Sequence, residues 1–143
     1  MRCYLASWFG NKTRLKKKVK LLSKHGIIVT SRWLDENVAQ TVGIKDVTKN
    51  HLIETSRIDI EDIDSADVVV LVTPKKKDLK RISKTGWARG GRHFETGYQY
   101  ALMTHLYPKK RLIILGPKEN VFHWLPEVEH ASSWHELIEL LTN

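Results

Sequence analysis

A chain of 143 residues, 41% hydrophobic and 28% charged, has the composition of one globular domain that buries its core without staples, and not that of a disordered segment. No apolar run approaches the ~18 residues needed to span a bilayer, and the Met1–Trp8 segment is too short in its apolar part to read as a secretory signal. The single cysteine, Cys3, cannot form an internal disulfide, so a reducing cytoplasmic setting is the simplest expectation, and the net charge of +8 implies an anionic partner.

The first predicted strand is Cys3–Ala6, with Cys3 as a small core hydrophobe. Asn11 is an N-cap candidate for a helix through Lys24, with Leu15, Val19 and Leu22 inward and Gly26 as the stop. The run Lys16-Lys17-Lys18 with Lys20 falls on this helix and reads as a solvated face. A second strand is predicted at Ile27–Val29, then a helix from about Thr48 to Ser65. The clearest strand is Asp67–Val72. Residues 74 to 90 then read as a long polar loop holding Lys75-Lys76-Lys77, Lys80 and Arg81, a length that usually serves binding or covers a site. A helix begins near Gly91 with Phe94, Tyr98, Ala101 and Leu102 on its apolar stripe. Leu112–Leu115 forms a further strand, closed by Gly116-Pro117, and Ser133 with Glu136 makes a capping box for a helix to Leu141. Continuous apolar runs between helical patterns predict strands covered on both faces. The expected fold is a single α/β domain over residues 1–143, a parallel Rossmann-like or flavodoxin-like sheet of about five strands sandwiched by helices. Sites in such sheets gather at the carboxyl ends of the strands.

The richest segment for chemistry is Gly86-Trp87-Ala88-Arg89-Gly90-Gly91-Arg92-His93-Phe94-Glu95-Thr96-Gly97-Tyr98. Glycines ahead of a helix let backbone N–H groups approach an anion. Glu95 is placed in the first turn, where the positive helix end would keep its carboxylate ionised, as a nucleophile requires. A surface glutamate that merely complements the dipole fits the same spacing. Asp59 is the second candidate. It lies on a predicted inward stripe with Leu52, Ser56, Ile60 and Ile63, where desolvation favours the protonated form that a general acid needs. A salt-bridged or capping aspartate is the competing reading. Two carboxylates in opposite environments are what glycosidic bond cleavage uses. His93 suits a general base or a ligand contact, but packing or capping explains it equally simply. The seven histidines show no metal-ligand spacing, so neither metal nor cofactor is expected. Trp8 and Trp33 each follow a predicted strand and suit either base stacking or packing at the sheet rim.

Taken together these segments resemble the nucleoside 2-deoxyribosyltransferase family and its relatives, the nucleotide N-glycoside hydrolases. The matching residues are Ala6-Ser7-Trp8-Phe9 after the first strand, Ala66-Asp67-Val68 opening another, and Gly91-x-x-x-Glu95-x-Gly97-Tyr98 with Ala101. The family's acidic residue serving the leaving base lies eight residues before the strand's Asp, which here is Asp59. The resemblance spans Cys3 to about Pro126. It implies Glu95 as nucleophile and a pocket drawn from Tyr4, Ser7, Trp8, Phe9, Arg32, Trp33, Arg89, Gly90, Gly91, Arg92, His93 and Tyr98, with Tyr4 and Tyr98 positioning sugar or carboxylate.

One position departs from the pattern. Where the transferases carry an aspartate six residues before the nucleophile, this chain has Arg89. With Arg92 and Lys75–Lys77 it would attract a phosphate, so this departure points to a 5′-nucleotide in preference to a nucleoside, and away from base exchange toward hydrolysis, which needs only water as acceptor. It also implies a homodimer or higher homo-oligomer and a small-molecule substrate. Two other classes fit parts of the sequence: a catalytically silent nucleotide sensor, and a basic nucleic-acid-binding domain with steep salt dependence.

Overall fold

The run Val68-Val69-Val70-Leu71-Val72 becomes the central strand of the sheet, and all five side chains are buried. Such a run of β-branched residues is suited to a strand covered on both faces. The computed structural model describes residues 1–35, 48–85 and 90–143, with backbone alone at Arg81 and at residues 83–85. Among the described residues the strands are β1 (Arg2–Ala6), β2 (Ile28–Val29), β3 (Val68–Val72), β4 (Arg111–Leu115) and β5 (Glu129–Ala131). They pair in parallel in the order β2-β1-β3-β4-β5, with Tyr4 opposite Val69 and Val70 opposite Ile113. This is the single α/β layer structure expected from the alternation of strands and helices. No described helix is long and apolar enough to cross a membrane.

The helices are α1 (Lys12–Lys24), α2 (Lys49–Asp64), α3 (Lys76–Thr85), α4 (Gly91–Ala101) and α5 (Trp134–Thr142). Right-handed crossovers put α1 on one face of the sheet and α2 with α4 on the other. α2 packs on α4, and α4 crosses β1, β3 and β4. On the opposite face Lys18 of α1 lies over the Trp134 ring of α5. Caps form where short polar side chains precede apolar periodicity: Thr48 accepts the His51 N–H, and Ser133 accepts the Glu136 N–H. Gly26 takes φ 73° after α1, and Gly116 takes φ 111° after β4.

Several sequence expectations need correction. Residues 76–85 are helical and not loop, because Ile82 reaches the core side and Asp78 anchors the first turn by accepting the Lys75 N–H. β2 is a two-residue edge strand with Ile28 exposed, so it is not covered on both faces. Asn11 precedes α1 but does not cap it with its side chain; its amide donates to Ser7 Oγ instead. Glu136 closes its box on Ser132, from which it accepts both N–H and O–H.

The inward faces of α2 and α4 also differ from the apolar stripes. On α2 the buried residues are Thr55, Asp62 and Ile63, while Ser56 is exposed. Asp59 lies on that polar stripe, between Thr55 and Asp62. On α4, Arg92, Thr96 and Gln99 are buried, whereas Phe94 is exposed. These buried polar residues are held by partners outside the two helices: Asp62 by Arg32, Arg92 by Glu119, and Gln99 by the Arg111 carbonyl.

Candidate active site

β1 passes beneath α4 with Tyr4 fully buried, and the Tyr4 hydroxyl donates to Glu95 Oε1 at 2.9 Å. Burial raises the ionisation of Tyr4 well above its ordinary range, and the charges of Glu95 and Asp59 add to that effect. The phenol therefore stays protonated and keeps donating. The charges of Glu95, Asp59 and Asp62 all act on Tyr4, and Glu95 is the one of them hydrogen-bonded to it. Asp59 Oδ1 is itself buried.

Glu95 is the fifth residue of α4, one turn deeper than its expected place at the helix start. Burial pushes its carboxyl up to about 7, against the opposing pull of the Tyr4 hydrogen bond and the Arg92 charge. The expectation that the helix dipole keeps Glu95 firmly ionised is thus corrected. Desolvation outweighs a dipole whose effect fades within the first turn. A carboxyl so perturbed and hydrogen-bonded to a buried phenol makes Glu95 a functional-site candidate.

Other candidates are already engaged. Arg92 is buried and grips Glu119 in a two-pronged pair, Nη2 to Oε1 at 2.9 Å and Nε to Oε2 at 3.3 Å. Its charge reaches Glu95 but its fork is taken. Arg32 Nε donates to Asp62 Oδ1 at 2.7 Å and its Nη2 to Glu61 Oε2 at 3.0 Å. The Trp33 indole is buried and donates to the Leu5 carbonyl at 2.9 Å, and its ring lies 6.3 Å from that of Phe9. That is the packing alternative. Ser7 ties the end of β1 to the Val72 carbonyl of β3. Tyr98 bonds Asp64 at 2.8 Å and stacks on Phe94, so Tyr4 alone of the two tyrosines contacts Glu95 among the described residues.

Gly90 adopts φ 84° at the N-cap of α4, a left-handed conformation that glycine reaches without strain, and Gly91 opens the helix. Exposed His93 borders a mainly apolar groove of about 690 Å³ with Tyr100, Phe122, His123 and Leu125. Its basicity is lowered by burial and by Arg92. Trp8 and the lysines Lys75 and Lys77 line a different cleft, against α1 and α5. Arg89 lies outside the described residues.

Sequence reasoning missed buried Asp62 and half-buried Glu119, the carboxylates that hold Arg32 and Arg92. For Asp62 a signal existed: it follows Asp59 by one helical turn on the same face. Glu119, after β4, carries none.

Neither the known family models nor the curated proteins contain a match to the sequence. Solved structures do. A 2-deoxyribosyltransferase from the psychrotolerant bacterium Bacillus psychrosaccharolyticus superposes with a TM-score of 0.64 at 19% identity, over 96% of this chain and 90% of that one. The CMP N-glycosidase BcmB of Clostridium botulinum superposes with a TM-score of 0.55 at 17% identity, over 99% and 98% of the two chains. At these identities the likeness establishes a shared fold across essentially the whole chain.

Proposed function

We propose that this chain is an enzyme of the nucleoside 2-deoxyribosyltransferase kind that cleaves the N-glycosidic bond of a nucleoside 5′-monophosphate or nucleoside. The observation that carries the reading is the Glu95 carboxylate of α4 hydrogen-bonded to the buried Tyr4 phenol, on which the charge of Asp59 also acts. The shared fold supports it, since one neighbour is a deoxyribosyltransferase and the other a CMP N-glycosidase.

In this reading the ionised Glu95 carboxylate attacks C1′ as the C1′–N bond breaks, through an oxocarbenium-like transition state. The electron pair of that bond leaves with the base, which takes its proton from Asp59. Water then attacks C1′, gives its proton to the Asp59 carboxylate, and releases Glu95. A second base in place of water makes the reaction an exchange. Tyr4 holds Oε1 of Glu95 in one orientation, leaving the other oxygen to attack. Arg89, directly ahead of the Gly90-Gly91 turn, is placed in sequence to meet a 5′-phosphate at the start of α4.

The test is incubation with a panel of nucleosides and 5′-nucleotides, followed for free base. The wild-type chain should release base from at least one member, and Glu95→Ala should not, with unchanged far-UV circular dichroism. Release by Glu95→Ala at the wild-type rate would remove the nucleophile. No release from any member by the wild type would remove the enzyme reading.

A further inference from the structure

Two lysine-rich runs lie far apart in the chain, one on α1 and one between β3 and α3. The fold brings them to the same cleft. Lys17 and Lys18 reach it from α1, and Lys75 and Lys77 from the start of α3. Arg14 completes the cationic side, with Asp78 as the one carboxylate among the described lining. Asp78 is buried; although burial works against its charge, the Arg14 guanidinium at 2.8 Å and the Lys75 N–H hold its carboxyl below the usual range. That pair fastens α3 to α1 and fixes the spacing of the lysines. Lys17, Lys75 and Lys77 are exposed and project into solvent at the rim.

Part of the lining is aromatic. Trp8, from the end of β1, and Trp134, from the start of α5, both line the cleft. The Lys18 ammonium already lies over the Trp134 ring at 5.3 Å, so cation and aromatic wall are adjacent. The space measures about 540 Å³, within the ~300–1,000 Å³ of small-molecule sites. It is lined from α1, α3 and α5, and not from α2 or α4, the helices that carry Asp59 and Glu95.

We propose that this cleft is a second site, one that binds a nucleoside diphosphate or triphosphate with its phosphates on the lysines and its base against the tryptophan wall. Charge argues for more than one phosphate, since four lysines and an arginine face a single carboxylate. The aromatic wall argues for a ring on the ligand. Binding here does not depend on the glycosidic chemistry proposed for the other face.

The probes are ADP, inorganic pyrophosphate and a single-stranded oligodeoxythymidylate, titrated calorimetrically against the wild-type chain, the Lys17→Ala/Lys75→Ala variant and Asp59→Asn. Both lysines are exposed, so their loss leaves the fold intact. ADP should bind saturably, more tightly than pyrophosphate, and about tenfold or more weaker to the double-lysine variant. Asp59→Asn should bind ADP as the wild type does. Equal affinity of both proteins for ADP would overturn the site. So would ADP binding that is lost in Asp59→Asn, which would place the ligand on the other face. ADP binding no tighter than pyrophosphate would overturn the nucleotide assignment, and an oligonucleotide that outcompetes ADP through the same lysines would replace it with a nucleic-acid surface.

Discussion

Glu95 is held between a buried environment that favours its protonated form and a phenol that favours its anion. With its carboxyl at about 7, both forms are populated at neutral pH. Only the anion can attack, so kcat/KM should fall by about tenfold per pH unit on the acid side of that value. Tyr4→Phe removes the donor and should move this limb to higher pH; a pH–rate profile that did not move would show that the hydrogen bond leaves the carboxylate unaffected. The same shift bears on stability. The ordinary value for a glutamate is 4.5, so ionisation of Glu95 opposes folding: its favourable contribution is whole below pH 4.5, fades as pH rises to about 7, and is absent above. Glu95→Gln removes the buried charge and still accepts from Tyr4. It should raise stability at pH 8 by about 1–3 kcal/mol and change little at pH 4, as denaturant unfolding at the two pH values would measure. Loss of stability at pH 8 would mean the carboxylate is better solvated than its surroundings indicate.

At the scale of elements, the proposed site draws Asp59 from α2, Glu95 from α4 and Tyr4 from β1. Asp59→Asn should slow base release by ~10²-fold or more if Asp59 delivers the proton, and least for bases that leave well. A uniform loss across leaving groups would make Asp59 a structural residue of α2. A second element-level prediction concerns the turn after β4. Gly116 has φ 111°, and a Cβ there would come within 2.7 Å of Thr73 Oγ1, so Gly116→Ala should cost about 1–3 kcal/mol. β1, β3 and β4 were legible in the sequence because their signals are local: β3 is one unbroken apolar run, and Ser133 caps α5 as its spacing predicts, whereas the short β5, Glu129–Ala131, has no such run. What was not legible came from contacts across the chain. α3 reads as loop because most of its residues are polar and its main tie to the core is Ile82. The buried faces of α2 and α4 differ from the apolar stripes because apolar periodicity marks core, whereas these helices bury Asp62, Arg92 and Gln99 against Arg32, Glu119 and the Arg111 carbonyl. Glu95, Asp59 and Tyr4 stood out from spacing and resemblance together, but only the fold shows the Tyr4 hydroxyl on Glu95, and only burial sets the carboxyl of Glu95 near 7.

Over the whole molecule, the charge of +8 is shared between two faces, and the structure reassigns part of it. Lys75 and Lys77 belong to the α1/α5 cleft, and Arg92 is spoken for by Glu119, so the phosphate preference proposed for the Glu95 site rests on Arg89. Arg89→Ala should weaken a 5′-nucleotide by roughly ten- to a hundredfold, with little effect on the matching nucleoside. Equal losses on both would withdraw the nucleotide preference and leave the glycosidic chemistry standing. That chemistry is the central claim, and the covalent intermediate tests it most directly. A substrate that the panel shows to release base is resynthesised with fluorine at C2′, which slows breakdown of a glycosyl-enzyme, and the treated protein is weighed intact and after proteolysis. The account predicts a mass gain equal to the fluorinated sugar without its base, on the peptide carrying Glu95 and absent from Glu95→Ala. Stoichiometric release of base from the fluorinated substrate with no adduct on that peptide would contradict it.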